Sequence, residues 1–592
     1  MKQLLTGDEA VARGAYEAGV HFAAAYPGTP STEILETIAK YDEVCAEWAP
    51  NEKVALESVI GASIAGGRAL ASMKHVGLNV AADPFFTFAY TGVNGGAVII
   101  TADEPGQHSA QNEQDNRNYA KSAKVPMFEP ANSQECRDMM LEAYRISELY
   151  DCPVLFRMTT RVCHGKSIVE CGERVEVPIR PYEKDVKKYV CVPANAKVLR
   201  RNLEDKLAKL KDYAETTPFN FVEDNHSKIG VIASGPCYHY AKEVFGDEVS
   251  YLKLGFSFPM PDDKIRSFCE KMDTIYIVEE NDPIIEERVQ FLGFACHGKD
   301  MLPKYGEMTP DVIRKGFLHK ENPTITYDQS SIVGRPPTLC AGCPHRGFFY
   351  ELGKRKNVMV SGDIGCYSLG FAKPYNAIDS LLCMGGGFSI GHGAQKVFNM
   401  TEEKKRVVSV LGDSTFFHSG ITSLMDVIYN NSNAVSVILD NRITGMTGHQ
   451  ENPGTGYDAK GEPASGVDIE AMVRAIGIKH IKTIDPNNLQ VVKDTLDEFL
   501  ALDEPSVIIT KWPCALKKFS AEDKRDFAGA FTKKMVVDRD KCIGCKKCMT
   551  CGCPAISFDR ENKKAVIDDI QCVGCGVCNQ LCPTKAIGEK EA

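Results

Sequence analysis

The chain has 592 residues, 43% of them apolar, with 23 cysteines and a net charge of −10 from 69 Lys and Arg against 79 Asp and Glu. At about 150 residues per domain it holds roughly three to five domains, each able to bury a core. The acidic balance, without a long basic run, argues against a nucleic-acid partner, and no run of about 18 apolar residues offers a membrane span. The start, MKQLLTGDEA, has neither the basic nor the apolar region of a secretion signal, so a cytoplasmic protein is expected.

In chain order, residues 1–190 alternate helical patterns with short apolar runs. GDEAVARGAYEAG reads as a helix, and NGGAVIIT (94–101) and CPVLFRMT (152–159) read as strands. Residues 191–227 are charged and mixed, with KLAKLKDYAE as an exposed helix, and form a connecting segment. Residues 228–325 form a smaller α/β unit whose strands are KIGVIASG (228–235) and DTIYIVEEND (273–282). The polar QSSIVGRPP (329–337) marks the next boundary. Residues 326–530 alternate again: RVVSVLGD (406–413), the helical ITSLMDVIYNN, then AVSVILDN (434–441). This α/β alternation predicts parallel sheets flanked by helices, with function at the carboxyl ends of strands. Residues 533–592 are too few for a conventional core and must be held by something other than burial.

Nine cysteines lie between Cys542 and Cys582, a density that in a large chain points to metal or redox chemistry rather than disulfides. Cys542, Cys545 and Cys548 are followed by Cys553 and Pro554, and Cys572, Cys575 and Cys578 by Cys582 and Pro583. The duplicated C-x-x-C-x-x-C...C-P pattern is that of a two-cluster bacterial ferredoxin. One 4Fe–4S cluster would take Cys542, Cys545, Cys548 and Cys582, and the other Cys572, Cys575, Cys578 and Cys553. The first half has an extra residue before its C-P cysteine and an extra Cys551, which is the alternative fourth ligand. Structural zinc is the competing occupant, but zinc ribbons do not need triplets with a trailing C-P.

Gly412, Asp413 and Ser414, followed at a distance by Asp440 and Asn441, resemble the thiamine diphosphate motif. A hard cation such as Mg²⁺ takes oxygen ligands, here the Asp413 carboxylate, the Asn441 amide oxygen and, by the resemblance, the carbonyl of Ile443. The helix after Gly412 would offer its N-terminal amides to the diphosphate. An Asp at a strand end also caps helices, so GDS alone carries little weight.

SGDIGCYSLG (361–370), CMGGGFSIGHGAQ (383–395) and DNRITGMTGHQ (440–450) resemble the cofactor-binding segments of the 2-oxoacid:ferredoxin oxidoreductase family. VEENDPIIEE (278–287) fits that family's transketolase-C-like domain. AGCPHRG (341–347) and the lengthened first cysteine motif ending GCPAI resemble its indolepyruvate branch, in the large α subunit. The resemblance covers nearly the whole chain. It implies a multidomain thiamine diphosphate-binding fold of parallel sheets with a C-terminal two-cluster ferredoxin-like domain: pyrimidine domain 1–190, connecting segment 191–227, transketolase-C-like domain 228–325, diphosphate and Mg domain 326–530, and ferredoxin-like domain 533–592.

It also implies oxidative decarboxylation of an arylpyruvate, transfer of the acyl group to coenzyme A, and passage of two electrons through the clusters to ferredoxin. A smaller β subunit completes the enzyme, as a heterodimer that dimerises again. The same chemistry on a branched-chain 2-oxoacid or pyruvate, a non-redox thiamine decarboxylase, and a non-catalytic electron-transfer subunit are the alternatives. By the resemblance, Glu52 in NEKVALESVIGASIAGGRA meets the aminopyrimidine ring, with Glu57 as the other carboxylate in that helix. Thr29 in AYPGTPSTEI lies beside the substrate, and His75 and Asn79 in MKHVGLNVAADP are pocket residues. Arg117 would meet a substrate carboxylate or pair with nearby acids. Cys340, Cys343, Cys366 and Cys514 would hold a third, proximal cluster; buried free thiols are the alternative. Lys541, Lys546, Lys547, Lys563, Lys564 and Lys585 would give an acidic ferredoxin a basic landing site, or form a solvated surface.

Overall fold

The structure, a computed structural model, describes residues 1–590 apart from Thr324 and Lys404. It divides between Tyr327 and Asp328 into two compact units, at the start of the polar stretch. Among the described residues no helix is long and apolar enough to cross a membrane.

The first unit opens with the helix Gly7–Glu17. Thr6 and Glu9 form a reciprocal capping box at its start, each side chain taking the other's backbone N–H at 3.1 and 2.8 Å. A seven-stranded sheet follows, in the order Phe256–Phe258, Met127–Phe128, Val154–Thr159, Ala97–Asp103, Ala69–Lys74, Phe22–Ala25 and Cys45–Trp48. All neighbours are parallel except the edge strand Phe256–Phe258, which the chain lends from the range of the second α/β unit. Helices cover both faces, as the near-continuous burial of Ala97–Asp103 and Val154–Thr159 requires. A four-stranded sheet, ordered Thr274–Val278, Ile229–Ser234, Ser250–Leu254 and Asn220–Glu223, completes this unit.

The helix over the expected connecting segment, Pro193–Thr216, is not simply exposed. It buries Leu199, Leu203, Leu210, Tyr213 and Ala214, and the last three join the core of the seven-stranded sheet. Its apolar residues recur at helical spacing but are outnumbered by charge, which hid the buried stripe.

The second unit is built on a five-stranded parallel sheet ordered Val358–Ser361, Arg406–Gly412, Val435–Asp440, Ser506–Lys511 and His480–Ile484. The cysteine-rich tail carries two antiparallel pairs, Met535–Val537 with Ile587–Glu589 and Ile556–Asp559 with Lys564–Ile567. Its core is mostly sulfur and short side chains: eight tail cysteines line it with Val577, Ala586 and Ile587, and Leu489 enters from the sheet domain.

A buried ionic network ties the two sheets of the first unit. Arg157 donates to Asp103 and Glu129 at 2.7 Å, and Arg117 to Asp115 and to Glu279 at 2.6 Å. Beside it Glu280 is wholly buried, and burial pushes its carboxyl from 4.5 to about 7 despite Arg157. A folded-state value above the unfolded one means that the stability present below pH 4.5 is lost as the pH rises to about 7. Glu280→Gln should therefore stabilise this unit by about 3 kcal/mol at pH 8 and leave it unchanged near pH 4, read as denaturation midpoints at the two pH values.

Candidate active site

In the first unit the strands Phe22–Ala25, Cys45–Trp48 and Ala69–Lys74 are parallel neighbours, so the segments leaving their carboxyl ends share one edge of the sheet. These segments carry Thr29, Glu52 and His75. Asn51 caps the helix Glu52–Ile64 by accepting from the Val54 N–H at 2.9 Å, which fixes Glu52 as its first residue, 6% exposed. A Cβ at Gly77 would stand 2.7 Å from Glu52 Cγ and 2.8 Å from Oε1, so the glycine leaves the room this carboxylate occupies. Glu57 lies on the surface, paired with Lys53. His75 is fully buried, with Nε2 3.1 Å from the Asn112 carbonyl and Nδ1 without a hydrogen-bond partner. The Thr29 carbonyl accepts from Ser109 Oγ at 3.4 Å. Asn79 is held by Gln114 and Tyr119 at 2.9 and 2.8 Å. Arg117 takes the second of its two expected roles: it is 2% exposed and bonded to Asp115, Glu279 and the carbonyls of Glu280 and Asp282.

In the second unit Asp413 follows the strand Arg406–Gly412, and Asn441 follows Val435–Asp440, its parallel neighbour. The helix starting at Asp413 has no side-chain cap, passes through a π-turn at Phe416–Gly420 and continues as Ile421–Tyr429. The Asp413 carboxylate itself takes the Ser414 N–H at this helix start. Ser414 Oγ accepts from Thr444 at 3.0 Å, and the Ile443 N–H points at Asn441 Oδ1 at 3.3 Å. Burial and the adjacent Asp440 push the Asp413 carboxyl up to about 7, and burial also raises Asp440. Arg442, Lys511 and Lys517 compensate Asp440, which leaves the Asp413 carboxylate and the Asn441 amide oxygen as a donor set that fits Mg²⁺. A cavity of about 430 Å³ opens against Asp413 and Asp440.

Two further acids and amides of this site were not singled out in the sequence. Asn452 donates to Asp413 at 3.0 Å. Asp363, pushed up to about 6 by burial, accepts the N–H groups of Ile364, Gly385 and Gly387 at 2.7–2.8 Å and so ties SGDIG to CMGGG. Its sequence signal was available: Gly362-Asp363 ends a strand as Gly412-Asp413 does.

The cysteines gather into three groups. Cys366 lies next to the metal motif, since a Cβ on Gly445 would meet the Asn441 amide at 3.5 Å and the Cys366 sulfur at 3.7 Å. Cys514 is pinned there by its N–H, which donates to the Asn441 carbonyl at 3.0 Å. Burial raises Cys366 to about 11 and Cys343 to about 12; Cys514 and Cys340 raise Cys366 further, Cys366 and Cys514 raise Cys343, and Cys340 raises Cys514, so the four thiols lie near one another. The second group, Cys553, Cys572, Cys575 and Cys578, lines one cavity together with Ala341 and Gly342. Cys542, Cys545, Cys548 and Cys582 line another.

The two tail loops repeat the same backbone. Gly544 and Gly574 both have left-handed φ, and a Cβ there would strike the carbonyls of Lys563 at 2.3 Å and Lys533 at 1.5 Å. Backbone N–H groups point at sulfur, from Met535 to Cys572 at 3.4 Å and from Ala586 to Cys582 at 3.1 Å. Burial alone would raise the Cys582 thiol, but the Thr584 hydroxyl and this N–H outweigh it and the net shift is downward, toward thiolate. Sulfur lined up with amide donors suits iron–sulfur clusters. Cys551 stands outside both cavities, fully buried, its thiol donating to the Cys548 carbonyl at 3.1 Å.

Residues 13–201 match the family described as pyruvate flavodoxin/ferredoxin oxidoreductase, thiamine diphosphate-binding; residues 363–510 match the thiamine pyrophosphate enzyme C-terminal binding domain, and residues 534–584 a 4Fe–4S dicluster domain. The indolepyruvate oxidoreductase subunit IorA of Methanothermobacter marburgensis is 40% identical over 613 residues, covering 98% of this chain and 96% of its own. The chain belongs to the IorA family of 2-oxoacid:ferredoxin oxidoreductases. The IorA of Pyrococcus horikoshii is 39% identical over 99% of the chain. The 2-oxoglutarate synthase subunit KorA of Archaeoglobus fulgidus matches at 26% over 51% of the chain. As an IorA-family chain it is an oxidoreductase subunit with thiamine diphosphate-binding and 4Fe–4S domains, and the structure has the mixed α/β architecture with parallel sheets that the motifs implied. Because Cys553 lines the second thiol cavity and Cys551 does not, Cys553→Ser should lower iron and sulfide per chain by about one cluster, whereas Cys551→Ser should leave both unchanged.

Proposed function

We propose that the chain binds and oxidatively decarboxylates arylpyruvates, indolepyruvate among them, to the aryl-acetyl-CoA, and passes the electrons to ferredoxin with a smaller β subunit as partner. The observation that carries this reading is the joining of Cys514 and Cys366 to Asn441, which builds a group of thiols into the metal motif itself. A non-redox decarboxylase has no use for such a group, and an electron-transfer scaffold has none for the buried acid pair at Asp413. The aryl preference rests on likeness to proteins named indolepyruvate oxidoreductase.

Thiamine diphosphate, when bound, supplies the electron sink on which a 2-oxoacid loses carbon dioxide, and 4Fe–4S clusters carry electrons singly. The residues divide the remaining work. Asp413, Asn441 and the Ile443 carbonyl would hold Mg²⁺, while the amides following Gly412 and the Ser414 hydroxyl would hold the diphosphate. Glu52 would hold a proton at the aminopyrimidine ring, its carboxylate fixed by the helix start and by Gly77. Thr29 and His75 would orient the substrate. Cys340, Cys343, Cys366 and Cys514 would hold a proximal cluster, Cys553, Cys572, Cys575 and Cys578 an inner tail cluster, and Cys542, Cys545, Cys548 and Cys582 an outer one. Cys545 is exposed, and Lys541, Lys546, Lys547 and Lys585 are exposed in the same module, a surface suited to an acidic ferredoxin. Lys564 is partly spent on the Cys542 carbonyl.

Anaerobic ferredoxin reduction by the chain with its partner subunit, compared on indolepyruvate, phenylpyruvate, pyruvate and a branched-chain 2-oxoacid, should show the highest kcat/KM for the aryl substrates; preference for pyruvate would overturn the aryl assignment. Glu52→Gln should lower kcat by about a hundredfold or more while thiamine diphosphate stays bound. Glu57→Gln, altering a surface pair, should leave kcat unchanged.

A further inference from the structure

Arg346 lies in the second unit on the helix His345–Leu352 and is 1% exposed. Its Nη1 donates to the Tyr375 hydroxyl at 2.7 Å and to the Cys551 carbonyl at 2.9 Å, its Nη2 to the carbonyls of Leu339 and Cys340, and its Nε finds no partner. Every acceptor is neutral, and among the described residues no carboxylate pairs with it. That sets it apart from the other arginines buried as deeply: Arg117 has Asp115 and Glu279, and Arg157 has Asp103 and Glu129. A guanidinium without a counter-charge in such a place costs several kcal/mol.

The groups that could supply the missing charge are sulfur. Burial works against the charged form of Arg346, and what favours that form is Tyr375 followed by Cys553, Cys343 and Cys551. Arg346 in turn lowers Cys343 and Cys575. Of these, Cys553 and Cys575 line the inner cavity, Cys343 belongs to the neighbouring group and Cys551 stands outside both. As neutral thiols they leave the cation uncompensated, whereas as ligands of an iron–sulfur cluster Cys553 and Cys575 are thiolates, and the cluster as a whole is an anion. Each electron that enters adds negative charge beside a cation that cannot move and that water does not screen.

We infer that Arg346 is a positioning residue that serves as the fixed counter-charge of the inner tail cluster, the one held by Cys553, Cys572, Cys575 and Cys578, and raises its midpoint potential. This rests on the reading that those four thiols hold a 4Fe–4S cluster. The same side chain keeps the Cys340–Cys343 loop against the inner group: its hydrogen bonds hold the carbonyls of Leu339 and Cys340 on one side and of Cys551 on the other. The loop is packed so closely there that a Cβ on Gly342 would stand 2.0 Å from Val573 Cγ2. The outer cluster has its own cysteines and is not contacted by Arg346, so it provides an internal control.

The test is a redox titration of the holoenzyme with its partner subunit, followed by electron paramagnetic resonance, on wild type, Arg346→Gln and Arg346→Lys. Arg346→Gln should shift one tail signal to lower potential by at least a tenfold change in its reduction equilibrium, about 59 mV for one electron, and leave the other in place. Arg346→Lys, which keeps the charge and loses the fork of donors, should restore most of the shift. An unshifted Arg346→Gln, or an Arg346→Lys that falls equally far, would overturn the inference. If Arg346→Gln fails to assemble the inner cluster by iron analysis, assembly in Arg346→Lys supports the counter-charge, and failure of both assigns Arg346 to geometry alone and overturns it. A wild-type enzyme lacking the inner signal would instead strike the cluster assignment.

Discussion

The carbonyl of Cys551 accepts two hydrogen bonds, from Arg346 at 2.9 Å and Tyr375 at 2.8 Å, and the placement of the cysteine-rich tail depends on them. The tail shares its core with Leu489, and Ala341 and Tyr350 also pack against that core. A few directional bonds fix its orientation: these two, and those of Gln580 with Leu489 and Asn487 at 2.9 and 2.8 Å. The extra residue of the first cysteine motif gains its reason here. Gly552, with left-handed φ, lies so close to Pro374 that a Cβ would stand 2.8 Å from its Cδ, and the lengthened loop is what carries the Cys551 carbonyl to Arg346.

The same economy governs the metal motif. Gly412-Asp413 and Asp440-Asn441 sit at the carboxyl ends of two adjacent parallel strands, so backbone pairing sets their separation. The strand Ser506–Lys511, next in the sheet, runs on to Trp512 and Cys514, whose N–H groups donate to the carbonyls of Asp440 and Asn441. Sheet register thus delivers a cysteine to the metal motif from seventy residues downstream without a dedicated loop. Catalytic and redox groups share a scaffold because they share an edge.

What was legible in the sequence was whatever short spacing encodes. The cysteine triplets, the Gly-Asp and Asp-Asn pairs and the helix start at Asn51-Glu52 each fix their side chains within a turn or two of backbone, which is why short motifs could point to them. The pairing of Arg117 with the nearby Asp115 was legible, but its second partner and the contacts of Arg346 were not, because they are remote: Cys551 lies 205 residues from Arg346 and Glu279 162 from Arg117. Which of Cys551 and Cys553 faces a cavity also depends on tertiary docking rather than on the motif. The buried stripe of Pro193–Thr216 was masked by the charge around it.

The 23 cysteines show why burial alone does not identify a redox group. Cys136, Cys163 and Cys237 are fully buried, and burial pushes each thiol well above its ordinary value. Cys163 has Asp8 beside it, and Cys136 has Asp8 and Glu135, negative neighbours that oppose the thiolate further. These are thiols fixed in their protonated form and chemically quiet. Cys366, Cys343, Cys575 and Cys578 are also disfavoured as thiolates by burial, but their charged neighbours are mainly other cysteine sulfur, with the Arg346 guanidinium beside Cys343 and Cys575. A set of thiols that raise one another is costly to ionise singly and favourable to ionise together around a metal centre. The distinction between an inert cysteine and a ligand therefore lies in the company it keeps, and in this chain that company is assembled by Asn441, Arg346 and the repeated glycine turns at Gly544 and Gly574.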